Sequence, residues 1–213
     1  MRWTLMAGLV GFASSGLFSS LLGWPRGRFV AAHAVLVAGF TVFFFFWHHL
    51  SFRIQFGRRW PGGLVAGVLV AVPLVRNVLG QPGTAAPEGP ALAWSLVWLG
   101  AVYGLADAML LTIVPVLALY GLQPADRLRQ AGPRVGWGMA ALAGSLLVTS
   151  LYHLGFAEFR GPALLAPLIG NAIITAGYLV SGSPVAPVIS HVLMHAAAVM
   201  HGIATTTQLP PHS

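Results

Sequence analysis

The chain has 213 residues, of which 57% are hydrophobic and only 7% charged, against about a quarter charged in an average soluble domain. Eleven arginines, no lysine and four acids (Glu88, Asp107, Asp126 and Glu158) are too few to cover a water-soluble globule of this size, and a chain this apolar is not disordered. Without cysteine there is no disulfide framework and no thiolate ligand or nucleophile. The composition leaves an all-α fold, a polytopic transmembrane helical bundle.

A spanning helix needs about 20 mostly apolar residues at 1.5 Å rise each. Windows of that length, bounded by Pro, Gly and Arg, predict about seven spans in a single integral membrane domain over residues 1–213. In chain order they are Arg2 to Trp24, Phe29 to Leu50, Gly62 to Gly80, one within Ala91 to Leu122, Val135 to Phe156, Pro162 to Val180 and Val185 to Thr205. The first reads as a signal anchor rather than a cleaved leader, because the apolar run continues past Ala13–Gly16 to Trp24. The fourth exceeds one straight span. A tilted helix kinked near Pro115 accounts for its length, as does an interfacial turn followed by a span. Residues 81–90, rich in Pro and Gly, read as an irregular loop.

The net charge of +7 suggests nucleic acid until the arginines are located. Arg53, Arg58 and Arg59 follow the second predicted span, and Arg127, Arg129 and Arg134 follow the fourth. With Arg2 they share the N-terminal side, against Arg26, Arg28 and Arg160 opposite. The bias predicts a cytoplasmic N-terminus. The basicity is therefore a topology signal with some contact to anionic lipid heads. The expected partner is the lipid bilayer, with no nucleic acid, and the expected location is a bacterial plasma (inner) membrane.

A charge near the bilayer centre costs about 2.5–3.5 kcal/mol even on the mild insertion scale, so each polar group inside a span needs a reason. Asp107 is the only acid in any predicted span. It reads as a general base or metal ligand, as the partner of Arg76 in an intramembrane ion pair, or as a protonated, hydrogen-bonded structural Asp. His191 and His195 stand four apart and share one helix face. That spacing suits zinc, and it equally suits two interior histidines bonded across helices. His153 ends the fifth span. Asp107, His153, His191 and His195 are thus the candidate catalytic residues, with His33, His48, His49 and His201 behind them. His48 and His49 are adjacent at a span end and read as interfacial. Ser145 precedes His153 but lacks the sequence context of a serine nucleophile, and no nucleophile elbow occurs. Haem ligation between His153 and His195 is geometrically conceivable, and nothing in the sequence specifies zinc or haem.

Residues 95–205 resemble the core of the CPBP family, the CAAX-protease and bacteriocin-processing (Abi) membrane proteins. The resemblance rests on Leu151-Tyr152-His153 and on the run from Thr175-Ala176-Gly177-Tyr178 through Ser181-Gly182-Ser183-Pro184 to Ser190-His191. The spacings, 46 residues from Asp107 to His153 and 38 from His153 to His191, also match it. In that family a Glu-Glu-x-x-x-Arg motif activates water, and histidines and an Asn hold an oxyanion or a metal. Here Ala106 and Asp107 stand in place of the glutamates, Leu111 and Thr112 where the Arg belongs, and His195 where the family has Asn or Asp. The resemblance with its missing glutamates implies, first, a non-proteolytic scaffold, assembly factor or subunit bound to other membrane proteins. The second expectation is an intramembrane CPBP-type endopeptidase acting on a membrane-proximal peptide with Asp107 as base. The third is a metal- or haem-binding membrane protein.

Overall fold

The computed structural model describes residues 1–202 and 208–210. Among these every regular element is helical and no strand occurs. Six helices are long and apolar enough to cross a membrane: α1 (Arg2–Leu21), α2 (Arg26–Trp47), α4 (Trp60–Leu79), α5 (Gly89–Gly121), α7 (Ala131–Leu154) and α8 (Pro162–Ser181). Between them lie two short helices, α3 (Phe52–Gly57) and α6 (Ala125–Arg129). A seventh apolar helix, α9 (Val185–His201), has 17 residues, a rise of about 25 Å. It ends before Thr205, and residues 203–207 lie outside the described region.

The segment within Ala91–Leu122 is one helix of 33 residues rather than two spans. Helical backbone angles continue through Pro115. Proline removes a backbone donor, and wide π-type turns at Ala108–Ile113 and Leu117–Gly121 flank it. Such turns accommodate a lost hydrogen bond without breaking the rod. α5 is the axis of the bundle: every residue from 106 to 117 is buried.

The outer helices are apolar on the outside as well. Val35, Val42, Val65, Leu69, Val97, Met139, Ile169 and Val180 are exposed. A soluble monomer rarely exposes so large an apolar surface, whereas lipid solvates it. Trp47, Trp60 and Trp94 stand exposed at span ends, where amphipathic indoles sit at headgroup level. These features define an integral membrane protein. At one end of the bundle Arg58, Arg59, Arg129 and Arg134 line one hollow together with Gly182. The two arginine-bearing loops therefore share one face, as the charge count predicts.

Small residues let α9 lie deep between two neighbours. On α4, Gly63 faces Ser183 and Val185, and Gly67 faces Ile189 and the carbonyl of Ala186. On α5, Gly100 faces Ala196 and Gly104 faces the backbone of Val192. Both pairs are Gly-x-x-x-Gly repeats, the spacing that brings membrane helices into close backbone approach. α1 packs along α7, and α8 contacts α4, α7 and α9.

A buried histidine–aspartate cavity

The site is assembled from α-helical residues four apart. On α5 Tyr103, Asp107 and Leu111 share one face, and on α9 His191 and His195 do the same. With Thr149 and His153 of α7 and Asn171 of α8 they line a cavity of about 80 Å³. Asn77 near the end of α4, Phe156 and Phe159 beyond α7, and Pro167 at the start of α8 also line it. It thus lies toward the end of the bundle opposite the arginine hollow. Gln208, Leu209 and Pro210 complete its wall.

All four predicted site residues meet here, and the partner of Asp107 is corrected. Arg76 is exposed on α4, too far round the bundle to neutralise a carboxylate on the core face of α5. The neighbours of Asp107 are imidazoles: His33 Nε2 lies 3.4 Å from Oδ1, and His195 Nε2 lies 3.2 Å from Oδ2. Relative exposures are 4% for Asp107, 0% for His33, 3% for His191 and 2% for His195. The contacts have ion-pair distances without hydrogen-bond directionality. His33 Nε2, Asp107 Oδ1 and both ring nitrogens of His191 and His195 are buried with no hydrogen-bond partner. Buried polar groups in folded proteins are normally satisfied, and leaving one bare costs about 1–3 kcal/mol. Three of the six, both nitrogens of His191 and Nδ1 of His195, lack even an ion-pair contact, and they point to a group that binds there.

His153 differs from the others. Its Nδ1 lies 2.8 Å from the carbonyl oxygen of Thr149. A carbonyl only accepts, so Nδ1 carries the proton, and in the neutral ring Nε2 keeps its lone pair. His33 is braced on the far side of Asp107, with its Nδ1 3.1 Å from Ser14 Oγ. Tyr103 packs against His195, with ring centroids 4.8 Å apart and the planes tilted by 53°, and its hydroxyl is 2.8 Å from that of Tyr152.

Behind the cavity, hydrogen bonds among polar side chains of α5, α7 and α8 tie its walls together. Ser145 donates to the Leu111 carbonyl at 2.6 Å, which commits its only proton. It therefore accepts from Thr175 at 2.9 Å and from Asn171 Nδ2 at 2.8 Å. Asn171 also donates to Thr149 Oγ1 at 2.6 Å and accepts from Thr112 at 2.8 Å. Ser145 is thus structural, in keeping with its lack of a nucleophile's context. His201 bonds the Gln81 carbonyl at 2.6 Å and does not line the cavity. His48 packs on Trp3 and Phe44 near the end of α2.

Asp107, His191 and His195 each offer a ligand atom, and these atoms all lie within 4.8 Å of one another. The donor set suits a metal. At about 80 Å³ the cavity has room for several waters, but it is far below the roughly 300–1,000 Å³ of clefts that enclose large ligands, so a porphyrin between His153 and His195 does not fit.

His33, Tyr103 and Asn171 are the site residues that sequence reasoning leaves out or ranks low. A cue existed for Tyr103, four residues before Asp107 on one helix face. The partners of His33 and Asn171 are far away in the chain, and no local pattern marks them.

The fold and the cavity together define a class: a helical membrane protein with a carboxylate and three histidines around one buried cavity and a fourth histidine, His33, behind the carboxylate. No family profile, no curated protein and no solved structure matches the chain.

Proposed function

We propose that this protein is a membrane-embedded hydrolase, a CPBP-like endopeptidase with a diverged acid motif, in a bacterial inner membrane. The observation that carries this reading is the convergence of Asp107, His153, His191 and His195 on one small cavity. Residues so placed at membrane depth are costly and mark function more often than packing. The substrate is a peptide reaching the cavity from the face opposite the arginine-rich loops.

The geometry distributes the work differently from a simple aspartate base. Both oxygens of Asp107 face imidazoles, so its charge orients His195 and His33. His153 Nε2 takes the proton from a cavity water as the water attacks the peptide carbonyl. The new oxyanion is met by donors on the same wall, Tyr103 or His191. The proton then passes to the departing amine.

The test is a library of membrane-tethered peptides in vesicles with the purified protein, read by mass spectrometry. His153→Ala, His191→Ala and Asp107→Asn are each expected to lower cleavage at least about a hundredfold while the helical content stays unchanged. Cleavage that survives all three substitutions ends the hydrolase reading.

A second reading is favoured by one specific observation, the Ala106-Asp107 pair where the resemblance calls for two glutamates. On it the protein is a non-proteolytic scaffold or assembly subunit. The wild-type protein would then cleave nothing in the library and would purify from its native membrane with partner subunits.

A further inference from the structure

We infer that Asp107, His191 and His195 form a binding site for one divalent first-row transition-metal ion, zinc foremost, with His153 facing its open position. This deepens the hydrolase reading and rests on it for what the ion would do, whereas binding itself is measured independently of hydrolysis.

Three observations carry the assignment. Each of the three residues offers a ligand atom within 4.8 Å of the other two. One pair, His195 Nε2 and Asp107 Oδ2, is already 3.2 Å apart. Bonds of about 2.0–2.2 Å in tetrahedral geometry place ligand atoms about 3.3–3.5 Å apart, so small side-chain adjustments complete the set. The second observation is that none of the four ring nitrogens of His191 and His195 makes a hydrogen bond, and three of them, both of His191 and Nδ1 of His195, have no ion-pair contact either. A cluster held by its own hydrogen bonds would have used them. The third is charge. Among the described residues no Lys or Arg lines the cavity and the ion-pair contacts of Asp107 are with imidazoles alone, and a dication bound by neutral histidines supplies the missing offset.

The chemistry of the donors selects the ion. One carboxylate and two imidazoles are too few oxygens for calcium, which takes six to eight, and a poor match for magnesium. Two histidines four apart on a helix plus one carboxylate are a set used for zinc with a water in the fourth position. The cavity has room for that water. His153, whose Nδ1 is held on Thr149, keeps its Nε2 lone pair for the water rather than for the ion. His33, with its Nδ1 against Ser14, steadies the second carboxylate oxygen, as groups behind metal ligands commonly do.

The experiment uses the full chain in detergent or nanodiscs, stripped with a chelator and titrated with Zn²⁺ alone. The expected result is uptake of one ion per chain by calorimetry and elemental analysis. His191→Ala, His195→Ala and Asp107→Asn should each lose that stoichiometric uptake, and His201→Ala should keep it. Absence of uptake by the wild type, or unchanged uptake by His195→Ala, overturns the site. A Co²⁺ titration of the wild type covers the case in which a variant does not fold. Intense visible bands of low-symmetry cobalt support the site, and a spectrum like that of aqueous Co²⁺ overturns it. The two proposals fail separately. Cleavage by a wild-type protein that takes up no zinc removes the metal and leaves the hydrolase. Stoichiometric zinc without cleavage of any peptide leaves the metal and removes the hydrolase.

Discussion

Gly67→Leu is expected to destabilise the bundle by about 3 kcal/mol, at the upper end of the usual cost of overpacking. A Cβ at this position would stand 2.7 Å from Ile189 Cβ and 2.8 Å from the carbonyl oxygen of Ala186. The second contact is backbone, so no rotamer relieves it, and α9 must move away from α4. Ser190 Oγ lies 3.1 Å from the Gly67 carbonyl and loses that neighbour too. Since α9 carries His191 and His195, zinc uptake should fall along with stability. Gly39→Leu is the control, because nothing lies within 4 Å of a Cβ there. Thermal unfolding in detergent is the measurement. If Gly67→Leu and Gly39→Leu melt together, the α4–α9 contact is not the close one described.

Asn171→Leu is expected to cost about 2–3 kcal/mol, the upper part of the range for stranding a buried polar group. The amide orientation is set by its neighbours: the oxygen faces the Thr112 hydroxyl, and the nitrogen faces Ser145 and Thr149. Leucine fills the space but strands the Thr112 donor and removes a donor from the other two. Thr149 also holds His153 through its carbonyl, so turnover should fall more than stability alone explains. A double-mutant cycle with Thr112→Val separates the effects. The pair should be less costly than the sum of the singles, because both partners of one bond are then gone. Strict additivity would show that this bond is not what holds the three helices.

The spans were legible because lipid imposes length and composition on any helix that crosses it, and their ends fall within a few residues of the Pro, Gly and Arg boundaries. Asp107, His153, His191 and His195 were legible for a related reason: polar residues are conspicuous in apolar spans. Arg76 was the wrong partner for Asp107, since a span's sequence states its polar content but not which face each residue takes. His33 shows the same limit. It sits alone on α2, and its contact with Asp107 arises only when α2 and α5 pack. The Gly63/Gly67 and Gly100/Gly104 repeats were present in the sequence, but only the packed bundle reveals that both embrace the same helix.

The shortness of α9 bears on how the molecule is made. At 17 residues, with two histidines in its middle, it is a weak candidate to leave the translocon for lipid unaided. Its grooves on α4 and α5 are built earlier in synthesis, so its entry is conditional on those spans having already met. Biogenesis therefore doubles as a checkpoint: the histidine pair reaches membrane depth only in a chain whose other helices have assembled. A ribosome-stalled chain lacking α4 should leave α9 accessible to aqueous labelling reagents.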